Sequence, residues 1–535
     1  MITAIQHRMI ELRFCSGIYY SDPFKEVKLT VSFTAPDGSL QVIMGYWAGD
    51  LTWKVRFAPD QAGEYTFVTA CSDASNPDLH SQIGVVTVKP YQGTNRLYRH
   101  GRLTVMPDQR HLQFEDGTPF FWLADTWWMG FTERLRFPDE FCRLAADRVQ
   151  KHFSVIQIVA GLYPDMAWFD ERGRNEAGFP WTEQFETINP AYFDMVDFRV
   201  AHLVEQGLVP CIVGSWGYFM DFAGMEVLKR HWEYLTARYG AYPVVWCAAG
   251  EAMMKYYLAD TQLDVEAWAA KRQSQWSALV QHIRAVDGHK RLITIHPTQY
   301  GREQVSDPTL IDFEMLQTGH GGYTSLGSTV DMLELSLEKQ PPMPVLVSEV
   351  NYEGICESAR EEVQRFHFWS CVLSGAMGHT YGANGLWQVN TKEKPYGKSP
   401  HGTSWGNIPW EEAAALPGSR QLGLGKALLE EFSWWKMEPH PEWISHPATA
   451  DDRHRCYMSG FPGCLRILYY PANMSWVAWH QEMVVLGLEA DVQYQVFYFD
   501  PKTGDQYDLG TAANSEYVVP KPPIFQDWVL VLTAG

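Results

Sequence analysis

YPVVWCAAGE, residues 242–251, and PVLVSEVNYEG, residues 344–354, each carry a short aliphatic run into a glutamate. Runs of this length, rich in Val and bounded by Pro or Gly, suit strands buried on both faces. Six more stand in order around them: FFWLADTWW (120–128), SVIQIVAG (154–161), LVPCIVGSWG (208–217), KRLITIHP (290–297), DFEMLQTGH (312–320) and GHTYGANGLW (378–387). Between them lie amphipathic stretches such as PDEFCRLAADRVQKH, YFDMVDFRVAHLVEQG, EAWAAKRQSQWSALVQHIRAV and AREEVQRFHFWSCVLSGA. Eight strand–helix units within residues 96–434 predict an α/β fold, a (β/α)8 TIM barrel with long loops. A doubly wound open sheet is the rival, but its first strand should run into a Gly-rich turn, and ADTWW (124–128) is not one.

Outside the barrel the period changes from helical to alternating. Residues 1–95 contain EVKLTVSFTAPDG, SLQVIMGYWAGD, LTWKVRFAPDQAG and EYTFVTACSD, strands broken by turns at the spacing of an Ig-like β-sandwich. Residues 435–535 repeat the pattern, with DPKTGD as a hairpin turn, and predict a second β-sandwich.

Composition narrows the class of partner. The 535 residues carry 43 Lys+Arg against 63 Asp+Glu, a formal charge of −20, which argues against binding a nucleic-acid backbone. Aromatic residues are abundant at 14%, with 22 Trp, a supply that suits stacking on the flat faces of sugars as well as core packing. The N-terminus lacks the charged start, apolar middle and small-residue cleavage site of a secretory signal, and no run of 18 apolar residues spans a membrane. Nine scattered cysteines without a C-x-x-C pair read as buried free thiols, so a cytoplasmic location is expected.

Barrel enzymes place their chemistry at the C-terminal ends of the strands. Those ends read Asp125, Trp127 and Trp128; Gly161 and Tyr163; Trp216 and Tyr218; Glu251; His296 and Gln299; Gln317 and His320; Glu349, Asn351 and Tyr352; Tyr381, Asn384 and Trp387. Two of them, Glu251 and Glu349, are carboxylates closing aliphatic strands. Breaking a glycosidic bond requires a proton for the leaving oxygen and a nucleophile or base for the anomeric carbon, and two glutamates facing one cavity supply both.

ADTWW on strand one, W-x-x-x-G-E on strand four, Q-T-G-H on strand six, S-E-V-N-Y-E-G on strand seven and G-H-T-Y-G on strand eight resemble the apiosidase-like glycoside hydrolases. Those proteins commonly carry an N-terminal β-sandwich like GYWAGDLTWKVRFAPDQAGEYTF and often a C-terminal β domain, so the resemblance covers nearly the whole chain. It implies a retaining barrel glycosidase with Glu251 as acid/base, Glu349 as nucleophile and Asp125 holding sugar hydroxyls. Two departures stand out. Members of the family often have Asp where this chain has Glu251, and the wider clan usually has Asn where it has Gly250. The resemblance therefore carries the reaction type and not the sugar.

The remaining candidates surround that pair. His320 and Tyr323, in GHGGY, are expected to orient the nucleophile; Trp127, Trp128, Trp216 and Trp387 to form stacking walls; Asn351, Tyr352 and Tyr381 to meet the substrate. Residues 382–416 form a long Gly- and Pro-rich loop, read as a lid with Trp387 and Trp405 as sugar contacts. A second rim loop, 163–190, offers Trp168 and Trp181.

Other chemistries fit less well. No His-x-His opens the barrel and no ligand set completes around His296 or His320; VGSWG (213–217) is not a G-x-S-x-G elbow; GHTYGANG lacks the second Gly-rich loop of a phosphate site. The expectation is a retaining, exo-acting hydrolase of an oligosaccharide or glycoside, with no cofactor and carboxyl groups about 5–5.5 Å apart. The alternative is a non-catalytic sugar-binding protein on a retired barrel. The oligomeric state stays open, a homo-oligomer included.

Overall fold

The eight apolar runs become eight parallel strands in a computed structural model that describes residues 2–259 and 264–534. They are Trp122–Thr126, Val155–Val159, Val209–Val213, Val245–Cys247, Ile293–Thr294, Glu314–Gln317, Val345–Glu349 and Gly378–Tyr381. Except for five and six, each pairs with its neighbour in sequence, and the first pairs with the eighth. The ring is finished by other bonds between strands five and six: Asp312 N donates to Ile293 O at 2.8 Å, Ile293 N to Asp312 Oδ2 at 2.7 Å, and Thr294 Oγ1 to Phe313 O at 2.8 Å. Every residue of these strands is buried, the condition that lets a parallel strand be apolar on both faces.

Helices Asp139–Gln150, Pro190–Glu205, Met225–Tyr239, Val265–Val286, Leu326–Leu337, Glu361–Leu373 and Pro417–Glu430 wrap the sheet. Glu361–Leu373 differs from an ordinary outer helix because it is buried nearly all round. The C-terminal sheet is the reason. Its six antiparallel strands run in the order Glu438–Pro439, Tyr457–Phe461, Leu465–Tyr470, Trp528–Ala534, Tyr494–Phe499, Gln506–Ala512. Alternate residues face opposite ways: Ile467, Val529 and Val531 join the barrel core, while Leu468, Leu530 and Leu532 pack with Val485 of a two-stranded sheet beyond. Arg365 on the helix reaches Asp527 at 2.6 Å, with both side chains buried.

At the other end of the chain a five-stranded and a three-stranded sheet stack face to face, with Phe33 on Phe57 at 3.9 Å and an interplanar angle of 6°. Arg56 ties this unit to the barrel. It donates to Glu11 at 2.9 Å and to Asp197 of helix Pro190–Glu205 at 3.0 Å, and Asp197 also takes Arg238 Nε at 2.8 Å. A three-stranded sheet (Leu103–Val105, Leu112–Phe114, Pro119–Phe120) leads into the first barrel strand and adds Leu112, Phe114 and Phe120 to the barrel core. Among the described residues no helix is long and apolar enough to cross a membrane.

Candidate active site

Strand seven ends on Glu349, and strand six ends beside it on Gln317. Strands three and four continue past their regular ladder as a single bridge between Trp216 and Gly250, which carries Trp216 and Glu251 to the same end of the barrel. Glu251 then turns with φ +40°, a left-handed conformation uncommon for a residue with a side chain. The two glutamates meet at one amide: Gln317 Nε2 donates to Glu251 Oε1 at 3.0 Å and to Glu349 Oε1 at 3.1 Å. A donor shared in this way holds those oxygens no more than about 6 Å apart.

Their electrostatic environments differ. Burial raises the pKa of Glu251 and the neighbouring Glu349 charge adds to it, against partial relief from Gln317, His296 and the Trp216 indole, which donates to Oε2 at 3.0 Å. Burial also works against the Glu349 charge, but two imidazoles outweigh it and hold that carboxyl down at about 2. His320 Nε2 stands 2.9 Å from Glu349 Oε1 and His296 Nε2 3.3 Å from Oε2. One glutamate is pushed toward the protonated form and the other kept ionised, the division of labour that acid–nucleophile pairs need.

Both open onto a cavity of about 320 Å³. Trp128, Trp216, Tyr352 and Trp387 form its aromatic walls; the Trp128 indole donates to the Tyr352 hydroxyl at 3.0 Å, and Tyr352 and Trp387 stack at 6.2 Å. Loop residues close the mouth: Asp165 after strand two, Met254 and Tyr257 after strand four, His401 and Trp405 from the long loop after strand eight. Tyr257 and His401 stack across it at 4.8 Å. Among the described residues no group of three His, Cys, Asp or Glu is arranged to hold a metal ion.

Seven residues expected at the substrate lie elsewhere. Asp125 is fully buried and accepts from Trp127 Nε1 at 2.7 Å and Arg148 Nε at 2.6 Å, so it holds strand one to the following helix and not a sugar. Trp127 packs edge-on against Phe141 of that helix at 5.6 Å. Tyr381 donates to Glu353 at 2.5 Å in the same outer layer. Side chains alternate across a strand, so positions one step from an inward residue point to the helices. Asn351, also buried, accepts from Gly322 N at 2.7 Å and donates to Ser325 Oγ at 2.7 Å, pinning the loop after strand six. Tyr323 is nearly half exposed and bonded to Glu362, outside the cavity. Trp181 is buried against His231, and Trp168 lies on Phe222 away from the cavity.

Gln317 and His296 were visible as strand ends, but nothing local shows that both reach the glutamates. Asp165, Tyr257 and His401 sit in loops, where no periodicity points to a cavity.

The catalytic-domain family described as "Apiosidase-like, catalytic domain" matches residues 106–436. The chain belongs to that apiosidase-like family. It is a glycoside hydrolase. An N-terminal family, "Domain of unknown function (DUF5060)", matches residues 3–72 of this apiosidase-like chain. Among solved structures it is similar to one described as a glycoside hydrolase (TM-score 0.68, 22% identity, covering 82% of this chain and 98% of that one). A glycoside hydrolase family 5 protein from Bacteroides vulgatus is similar too (TM-score 0.67, 21% identity, covering 82% and 93%). A putative glycoside hydrolase from the same organism covers 100% of both chains at TM-score 0.68 and 16% identity. At these identities the likeness shows the fold. No curated protein matches the apiosidase-like chain.

Proposed function

We propose that this protein is a retaining glycoside hydrolase acting on a terminal sugar of an oligosaccharide or glycoside. Glu251 gives its proton to the glycosidic oxygen as Glu349 attacks the anomeric carbon; the carbon–oxygen bond breaks and a glycosyl ester forms on Glu349. Water, deprotonated by Glu251, then displaces the ester, releasing the sugar and restoring both groups.

The observation that carries this reading is the single Gln317 amide bonding both glutamates. It keeps the facing oxygens closer than the roughly 6.5–9.5 Å that an inverting enzyme leaves for water between its carboxyls. The opposite pKa displacements support the same assignment. Loops from strands two, four and eight closing the cavity favour a pocket, and hence exo action, over a long cleft. Both proton transfers and the nucleophilic step fall to the two carboxyl groups, so the scheme calls on no cofactor. All nine cysteines are free, in keeping with a reducing compartment and an imported substrate.

The test is release of p-nitrophenol from a panel of α- and β-aryl pentosides and hexosides by the parent and by Glu349→Ala. Turnover of one glycoside that vanishes in the variant, with retained anomeric configuration in the product by proton NMR, supports the proposal. Inverted product overturns it.

A further inference from the structure

We infer that Asp165 selects the sugar: its carboxylate receives two hydrogen bonds from a vicinal diol of a neutral glycosyl unit seated against Glu251 and Glu349. This rests on the glycosidase reading above and specifies its substrate class.

Asp165 is 2% exposed and lines the same cavity as the two glutamates. Among the described residues neither of its carboxylate oxygens has a hydrogen-bond partner. Buried carboxylates are nearly always hydrogen-bonded, since an unpaired one forfeits its solvation. Among the described residues no cation forms an ion pair with it. Arg172, beside it in the chain fold, donates Nε and Nη2 to Asp170 at 2.9 and 2.8 Å and reaches only the backbone oxygen of Asp165, at 3.3 Å. Burial raises the Asp165 pKa, against partial relief from Ser399, Tyr257, Arg172 and Trp405, whose polar groups stand near the carboxylate without closing a hydrogen bond on it.

The backbone around it is built to hold the side chain in place. Asp165 has φ +60°, a left-handed conformation that Asp tolerates better than most residues. The preceding carbonyl, of Pro164, accepts from the Tyr396 hydroxyl at 3.3 Å, and Arg172 stacks on Tyr396 at 4.7 Å. The loop after strand two is thereby fastened to the loop after strand eight.

Two carboxylate oxygens side by side match two adjacent hydroxyls, and the rings of Tyr257, His401 and Trp405 at the same mouth give a sugar ring flat surfaces to rest on. A uronic acid would set a second anion against Asp165 in a buried site, and is excluded.

The experiment takes the best-turned-over p-nitrophenyl glycoside, its single-position deoxy analogues and the matching uronide, with the parent, Asp165→Ala and Asp165→Asn. The expected result is a loss of about 100- to 10,000-fold in kcat/KM for Asp165→Ala, with the deoxy analogue of the contacted position losing little more. The melting temperature of Asp165→Asn, which keeps a residue that tolerates φ +60°, should stay level or rise and is the one read for stability; Asp165→Ala adds a backbone cost of its own. Equal proportional losses on the glycoside and all deoxy analogues, preferred turnover of the uronide or of an amino sugar, or a clear drop in the melting temperature of Asp165→Asn would overturn the inference while leaving the glycosidase reading intact. If the parent turns over no glycoside, that reading fails first. Calorimetry of the same neutral glycosides on parent and Asp165→Ala then decides the contact: binding lost in the variant supports it, and unchanged or absent binding overturns it.

Discussion

The Trp216 indole donates to Glu251 Oε2 at 3.0 Å while its six-membered ring fills the space that a side chain on Gly250 would need. A Cβ at residue 250 would lie 2.2 Å from the ring carbon Cζ3 of Trp216. The volume beside Glu251 thus belongs to an indole, which supplies its own N–H to the carboxyl.

Gly250→Ala should therefore displace Trp216 and break its bond to Glu251. The expected cost is about 1–3 kcal/mol of stability from overpacking and a loss of kcat/KM of at least about tenfold. Thermal melting and initial rates on the best glycoside check both.

The pH–rate profile should be broad. In the proposed mechanism Glu349 must be ionised to attack; with its pKa held at about 2, activity should persist well into acid. In the same mechanism Glu251 must be protonated to donate, and its raised pKa should extend the alkaline limb upward. His320→Ala removes one of the groups that hold Glu349 down, so the acid limb of kcat/KM should move to higher pH. Trp216→Phe removes a donor to ionised Glu251, so the alkaline limb should move up.

Asp125→Ala should damage stability and spare substrate recognition. Asp125 and Arg148 are both fully buried and paired at 2.6 Å; without Asp125 the buried guanidinium keeps only the partly exposed Asp147, and breaking such a buried pair costs up to about 3–5 kcal/mol. KM of the folded fraction should stay near that of the parent. A large rise in KM with unchanged melting would restore Asp125 to the site.

Asp197 sets an acid limit on the contact between the N-terminal sheets and the barrel. Burial opposes its charge, but Arg238 and Arg56 outweigh that and hold its pKa at about 2, below the ordinary 3.8. A depressed carboxyl contributes stability above the unfolded pKa and loses it as pH falls through the folded one. Chemical denaturation should show about 2 kcal/mol disappearing between roughly pH 4 and 2, and Asp197→Asn should lack that component.

The barrel was legible because fully buried parallel strands need unbroken aliphatic runs, and eight such runs separated by amphipathic stretches leave few other arrangements. The same logic placed Glu251 and Glu349, each of which closes its aliphatic run. It reached less far with neighbours. Asp125 and Tyr381 lie on strands and Trp127 and Asn351 just beyond them, yet all four turn away from the cavity, while Trp128 and Tyr352 one step on turn into it. That one-residue choice depends on the tilt and register of the closed sheet.

What the sequence by itself determined was the succession of elements and the two carboxylates, because burial pattern and strand-end position are properties of short segments. Only the tertiary structure decided how those carboxylates differ. The Gln317 bridge, the imidazoles on Glu349, the Trp216 indole on Glu251 and the buried Asp165 beside them bring together residues from the ends of strands three to seven and the loop after strand two. A pKa and a pocket are set by distances through space, and those exist only once the barrel has closed.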